Sequence, residues 1–209
     1  MAIQRITGVA LIAGSALCGM TLLNTAQAAD VQDMVQDCET CHGKDGISSE
    51  PTVPTIAGSS AFYASDTMIM FQEEDRPCEK MEYPSGDNKG KTTSMCEIAD
   101  DLSADEITAL AEYYANKPFV PAKQDFDASL VEKGAEIHDD ACEKCHAEGG
   151  TMASDDSGIL AGQWTPYLRE TFEHYSSGER PMTKKMKKKF EPLNDEEKEA
   201  LLNYYASQQ

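Results

Sequence analysis

The sequence predicts an all-α chain of two tandem domains, and three observations carry that prediction. A Cys-x-x-Cys-His frame occurs twice, at Cys38–His42 and Cys142–His146, with its histidines 104 positions apart. Two closing helical segments align without a gap, Leu102-Ser103-Ala104-Asp105-Glu106 through Tyr113-Tyr114-Ala115 against Leu193-Asn194-Asp195-Glu196-Glu197 through Tyr204-Tyr205-Ala206. No alternating apolar–polar run of strand length appears anywhere.

Taken in order, the chain opens on a secretion signal. Arg5 is its positive start, Val9 to Leu23 its apolar stretch, and Ala26-Gln27-Ala28 a small-x-small cleavage site. The stretch is short and broken by Gly8, Gly14, Ser15 and Gly19, which speaks against a membrane anchor. Cleavage after Ala28 sends the mature protein to the periplasm.

The first domain is expected over 29–120 and the second over 121–209. Each begins with a helical segment, Asp30–Asp37 or Asp127–Ala141, that leads into its Cys-x-x-Cys-His. A glycine-rich loop follows each frame, and then a second echo, Pro54-Thr55-Ile56-Ala57-Gly58 against Gly158-Ile159-Leu160-Ala161-Gly162. Ser103 and Asn194 are N-cap residues with Glu106 and Glu197 three positions on, the spacing of a capping box. Landmarks shared at start, middle and end indicate duplication of a whole domain. The join falls in Pro118–Gln124, where two prolines stop a continuous helix.

Composition narrows the function. With 37 acidic against 18 basic side chains the net charge is −19, which rules out sequence-independent nucleic-acid binding. One Trp, six Phe and eight Tyr make a modest core for 209 residues, so something else must help fill each domain.

The cysteine frame says what. Cys-x-x-Cys alone fits a metal knuckle, a thiol redox pair or haem attachment, and the adjoining histidine decides for haem. Both thiols add across the haem vinyl groups, and the imidazole lies beneath the iron. Zinc would need further paired Cys or His ligands at short spacing, and His138 and His174 are not so arranged. Two covalent haem c groups are therefore expected, on Cys38, Cys41 and His42 and on Cys142, Cys145 and His146. For the sixth ligand the first domain offers Met68, Met70, Met81 and Met95, with Met95 favoured because it precedes the closing helix by seven residues. Met68 and Met70 lie in a helical run with Phe62, Ile69 and Phe71 and read as packing residues. The second domain offers Met182, just after Arg180-Pro181, and Met186, which aligns with Met95. Met182 is favoured and Met186 is kept as the alternative.

Together these residues resemble the dihaem class I c-type cytochromes, and the resemblance implies two tandem class I cytochrome c domains. The second half is similar to the cytochrome subunit of flavocytochrome c sulfide dehydrogenases, through Pro121-Ala122-Lys123-Gln124-x-Phe126-Asp127, Cys142–Gly150, Ile159–Leu168, Arg180–Met186 and Tyr205–Gln209. That likeness implies electron transfer from a flavoprotein subunit that oxidises sulfide, and onward to a soluble acceptor such as a small cytochrome. The chain has no strand-borne Gly-x-Gly-x-x-Gly, so no flavin is expected on it. The alternatives are a free-standing carrier that donates to a terminal oxidase or other reductase, and a haem enzyme such as a peroxidase or a thiosulfate-oxidising dihaem protein. In this family a proline at the position of Pro54 offers its carbonyl to the proximal histidine, and Gly158 is its counterpart.

Three further features bear on fold and partners. Cys78 and Cys96, 18 residues apart, are expected to form a disulfide that ties down the polar insertion Glu82–Thr93. Lys184, Lys185, Lys187, Lys188 and Lys189 bracket Met186 as the one dense positive patch, suited to an acidic partner. Trp164 is expected to pack near the second haem, or to anchor a partner with Pro166 and Tyr167 if they are exposed. His138 and His174 read as ordinary polar or partly buried histidines.

Overall fold

The computed structural model describes residues 23–209, with side chains from residue 31 onward. The secretion signal expected over 1–28 lies outside the residues whose side chains are described. Among the described residues no helix is long and apolar enough to cross a membrane.

The first half builds α1 (Leu23–His42), α2 (Ala61–Gln72), α3 (Met95–Asp100) and α4 (Ala104–Ala115). Helix α1 stops at the first cysteine frame because Gly43 follows with φ 75°, and a side chain there would stand 2.2 Å from the Ile47 carbonyl. Helix α4 starts with the expected capping box, Ser103 and Glu106 each satisfying the other's backbone N–H. Its inner face, Ile107, Leu110, Ala111 and Tyr114, is buried. Val35 of α1 packs there with Leu110 and Tyr114, and this is a thin core. Helix α2 buries none of its side chains despite its apolar sequence.

One element departs from an all-helical reading. The insertion folds into a hairpin of two-residue strands, β1 (Met81–Glu82) and β2 (Thr92–Thr93), paired antiparallel. Strands this short carry no readable alternation. The Cys78–Cys96 disulfide closes the segment at its base, with Cα atoms 5.5 Å apart, as expected from the two unclaimed cysteines.

The second half runs through α5 (Ala128–Ile137), α6 (Ala147–Gly150), α7 (Thr165–Ser177), α8 (Lys184–Phe190) and α9 (Asp195–Ser207). The helix expected to continue to Ala141 ends sooner. At His138 it widens into a π-type turn, with the Glu143 N–H bonded to the His138 carbonyl. The turn holds His138 fully buried, its ring bonded to Tyr205 Oη and to Glu143, each at 2.9 Å. The sequence suggested an ordinary polar or partly buried histidine; His138 is instead fully buried, with both ring nitrogens bonded. Helix α9 has the second expected capping box, Asn194 with Glu197. Its buried Leu201, Leu202 and Tyr205 join Leu168, Phe172 and Phe190 in a larger core than that of the first half.

The halves repeat backbone detail as well as outline. The Gly46 carbonyl accepts from Ile56 and Ala57, and the Gly150 carbonyl from Leu160 and Ala161. Gly58 N–H bonds to the Tyr114 carbonyl and Gly162 N–H to that of Tyr205.

They also meet at a seam. Gln163 binds both ends of the Thr55 backbone, taking its N–H at 3.1 Å and donating to its carbonyl at 2.6 Å. The Trp164 indole donates to the Ser48 carbonyl at 3.0 Å, and the Tyr167 N–H to that of Pro51. The Trp164 indole N–H and the Tyr167 backbone N–H are thus engaged between the halves, both side chains are half-buried, and Pro166 between them is exposed.

Candidate haem-attachment sites

Cys38 and Cys41 sit in the last turn of α1, with His42 as its final residue. Cys142 closes the π-type turn, and the Cys145 and His146 N–H groups both bond to its carbonyl. Each frame therefore sits where a helix gives out, which frees the histidine ring to turn away from the helix axis.

Both rings are fixed in the same way. His42 Nδ1 lies 2.9 Å from the Pro54 carbonyl oxygen, and His146 Nδ1 lies 3.2 Å from that of Gly158. Each pair is separated by 12 residues, so the two loops are the same device. A carbonyl accepts only a proton, so Nδ1 carries the hydrogen and Nε2 keeps its lone pair for a metal. Burial pushes the pKa of both rings down, against the carbonyl bond, and so favours the neutral, ligating form.

The thiols point the same way. Cys38, Cys41, Cys142 and Cys145 are unpaired, although the same chain forms the Cys78–Cys96 bridge. Burial pushes the Cys38 thiol up to about 11, and it raises those of Cys41 and Cys142 as well. A dithiol redox pair or a thiolate metal site needs the opposite shift. The Cys38, Cys41 and Cys142 thiols, held protonated by burial beside a neutral imidazole, fit covalent haem attachment, and Cys145 is exposed.

The surroundings fit a large flat apolar group too. The first half's main core cluster holds only Val35, Leu110 and Tyr114 as buried side chains, and Phe62 and Ile69 of α2 stand 64% and 44% exposed. A macrocycle supplies packing area that this protein's own residues do not.

Met95 is the first residue of α3, half-buried between the N-cap Ser94 and the disulfide-bonded Cys96. Two tethers, a cap and a bridge, fix its backbone. In the second half Met182 packs against the large core, whereas half-buried Met186 lies in the first turn of α8, its N–H bonded to the Thr183 hydroxyl. The five lysines around it are all exposed. His174 is half-buried, with Nε2 3.6 Å from a Glu79 carboxylate.

Sequence reasoning passed over Tyr63 and Arg76. Each stands 104 positions before its counterpart, Tyr167 and Arg180, and both arginines are buried. The offset that revealed the cysteine frames would have paired them. A Cβ on Gly158 would lie 2.7 Å from Tyr63 Oη, so glycine at that position lets the first half approach the carbonyl that orients His146.

Comparison with known proteins places this architecture. The family model for cytochrome c oxidase, cbb3-type, subunit III matches residues 129–204. The chain is 29% identical over 187 residues to cytochrome c4 of Azotobacter vinelandii, an alignment that covers 84% of this chain and 79% of that protein. It is 27% identical over 153 residues to a thiosulfate dehydrogenase electron acceptor of Thiomonas intermedia, covering 68% and 64%. Its fold superimposes on reduced cytochrome c4 from Pseudomonas stutzeri with TM-score 0.69 at 22% identity, covering 87% of this chain and 98% of that one. The fold is the two-domain class I cytochrome fold.

Proposed function

We propose that this cytochrome c4-like dihaem electron-transfer protein works in the periplasm, taking electrons one at a time from an enzyme that oxidises a reduced sulfur compound and passing them to a soluble acceptor. The observation that carries the reading is the repeated constellation of two unpaired thiols beside a histidine with its Nδ1 tied to a backbone carbonyl. When bound, haem c supplies a one-electron ferric–ferrous couple in each half. Cys38 and Cys41, and Cys142 and Cys145, hold it by thioether bonds. His42 and His146 present Nε2 in a fixed orientation. Met95 would supply the thioether ligand of the first half's haem and Met182 that of the second, with Met186 as the alternative. The domains are 29–120 and 121–209, and the leader 1–28 is removed on export.

The donor is read from two supports. The stretches shared with flavocytochrome c across 121–209 favour a flavoprotein that oxidises sulfide. The Thiomonas relative, whose name makes it the acceptor of a thiosulfate dehydrogenase, favours an enzyme acting on thiosulfate. The exposed lysines of α8 suit either donor if its docking face is acidic, because complementary charge speeds encounter. Stopped-flow mixing of the oxidised holoprotein with each enzyme and its substrate separates the two. Fast reduction of both haems by one enzyme, slowed by salt, identifies the donor. Reduction by neither, with rapid oxidation by a terminal oxidase, assigns a free-standing carrier instead.

A further inference from the structure

The sequence holds four histidines, and the rings of three are committed. His42 and His146 bond through Nδ1 to the carbonyls of Pro54 and Gly158, and both ring nitrogens of His138 are bonded. Among the described residues the His174 ring forms no hydrogen bond, and its side chain is only 18% exposed. Its Nε2 lies 3.6 Å from a Glu79 carboxylate oxygen, beyond ordinary hydrogen-bond reach. Glu170 stands one turn earlier on α7. One ligand atom from each of Glu79, Glu170 and His174 lies within 4.8 Å of the other two.

Three features converge on this spot. Residues four apart share one side of a helix, so α7 presents Glu170 and His174 together. The backbone on both sides is fixed: the His174 carbonyl accepts the Arg180 N–H at 3.1 Å, and Glu79 directly follows the disulfide-bonded Cys78. The charge is also unbalanced, since among the described residues neither Glu79 nor Glu170 pairs with a lysine or arginine. Two carboxylates this close repel each other until a cation sits between them. Donor atoms about 2.0–2.2 Å from a zinc ion stand about 3.4 Å apart. Exposed Glu79 and half-buried Glu170 therefore need to close by no more than about 1.4 Å, a change of side-chain torsion alone.

We propose that Glu79, Glu170 and His174 bind a divalent transition-metal ion, which ties the disulfide-anchored segment of the first half to α7 of the second. One imidazole nitrogen and two carboxylate oxygens suit zinc and its first-row neighbours, whereas calcium and magnesium take oxygen donors. Three protein ligands leave a fourth position for water. The site shares no residue with either cysteine frame.

The test is calorimetric titration of the full holoprotein with zinc chloride near neutral pH. A single ion should bind per chain. Glu79→Gln, Glu170→Gln and His174→Ala should each weaken binding at least about tenfold, since even the loss of a group that only orients a ligand costs about 10–100-fold. Zinc should raise the melting temperature of the unsubstituted protein but not that of His174→Ala, and calcium should raise neither. X-ray absorption at the zinc edge should show nitrogen and oxygen neighbours at about 2.0–2.2 Å and no sulfur. No saturable binding, or affinity that stays within about twofold in all three variants, would overturn the proposal. So would equal stabilisation by calcium, which reports acidic surface alone, or sulfur neighbours, which place the ion on the cysteine frames. Binding lost in the α7 variants yet unchanged in Glu79→Gln would overturn the tie between the halves. If His174→Ala does not accumulate, Glu79→Gln decides, because its side chain is 66% exposed and its loss disturbs no packing.

Discussion

Gly134→Ala sets two physical effects against each other, and the structure says which wins. Gly134 lies inside α5, where glycine costs about 0.5–1 kcal/mol relative to alanine. On helix propensity alone the substitution should stabilise. Yet Gly134 is buried where α5 crosses α9, and an added Cβ would stand 2.1 Å from the Ala200 carbonyl oxygen and 2.6 Å from Tyr204 Cβ. Neither atom can rotate away, one being backbone and the other fixed to it. Ordinary contact begins at 3.4 Å, so α5 must retreat from α9 by about 1.3 Å or bend. Overpacking of this kind costs about 1–3 kcal/mol. The upper end applies, because the retreat also strains the bond between His138 and Tyr205 just beyond the end of α5. The net expectation is a loss of about 2 kcal/mol from the second half. Urea unfolding of the holoprotein, followed by circular dichroism and by haem absorbance, should show a lower midpoint with an unchanged slope. A variant as stable as the parent, or more so, would refute the close approach of the two helices.

Three other expectations follow from the same geometry. Replacing both Cys78 and Cys96 by serine removes a crosslink over 18 residues, worth about 3 kcal/mol in the loop-entropy model; calorimetry should show the first half melting more than about 10 °C lower, and a change under about 2 °C would contradict this. Met95→Ala should abolish the methionine–iron charge-transfer band of one haem and spare the other, while just one of Met182→Ala and Met186→Ala should do the same for the second; bands that survive every variant would leave the ligands elsewhere. The Gly149 N–H, and then His138, hold the Glu143 carboxyl below its usual range. Its contribution is therefore present above the unfolded pKa and lost as pH falls through the folded one. Melting curves between about pH 6 and 3 should lose this acid sensitivity in part in Glu143→Gln.

What could be read from the sequence was whatever repeats or belongs to a local code. The capping boxes at Ser103 and Asn194 form as expected, because an N-cap depends on residues three apart and little else. The proximal carbonyls were legible through the aligned Pro54 and Gly158. The disulfide followed from counting cysteines. The π-type turn at His138 was not legible, since it arises from a buried bond to Tyr205, 67 residues away. The hairpin in the insertion escaped because its strands are two residues long. Whether Trp164 and Tyr167 are exposed enough to anchor a partner was not legible, because aromatic exposure is a tertiary property. Only the assembled seam shows that their donors go to Ser48 and Pro51.

That seam has a consequence for how such a chain could arise and come apart. Tyr63, Phe71 and Arg76 of one half answer Tyr167, Tyr175 and Arg180 of the other, all at the same offset. Each half brings one buried arginine stacked on a ring of its own half, and Tyr63 of the first half abuts Gly158 of the second. A surface that meets a copy of itself is the isologous interface of a two-fold dimer. The two halves are in effect a homodimer whose subunits were joined end to end through Pro118–Gln124. Gln163 clasping Thr55 marks where the copies have since diverged, because the positions equivalent to them by the offset are Ser59 and Ile159. Cut at the linker, the halves retain matched faces and a reason to find each other again.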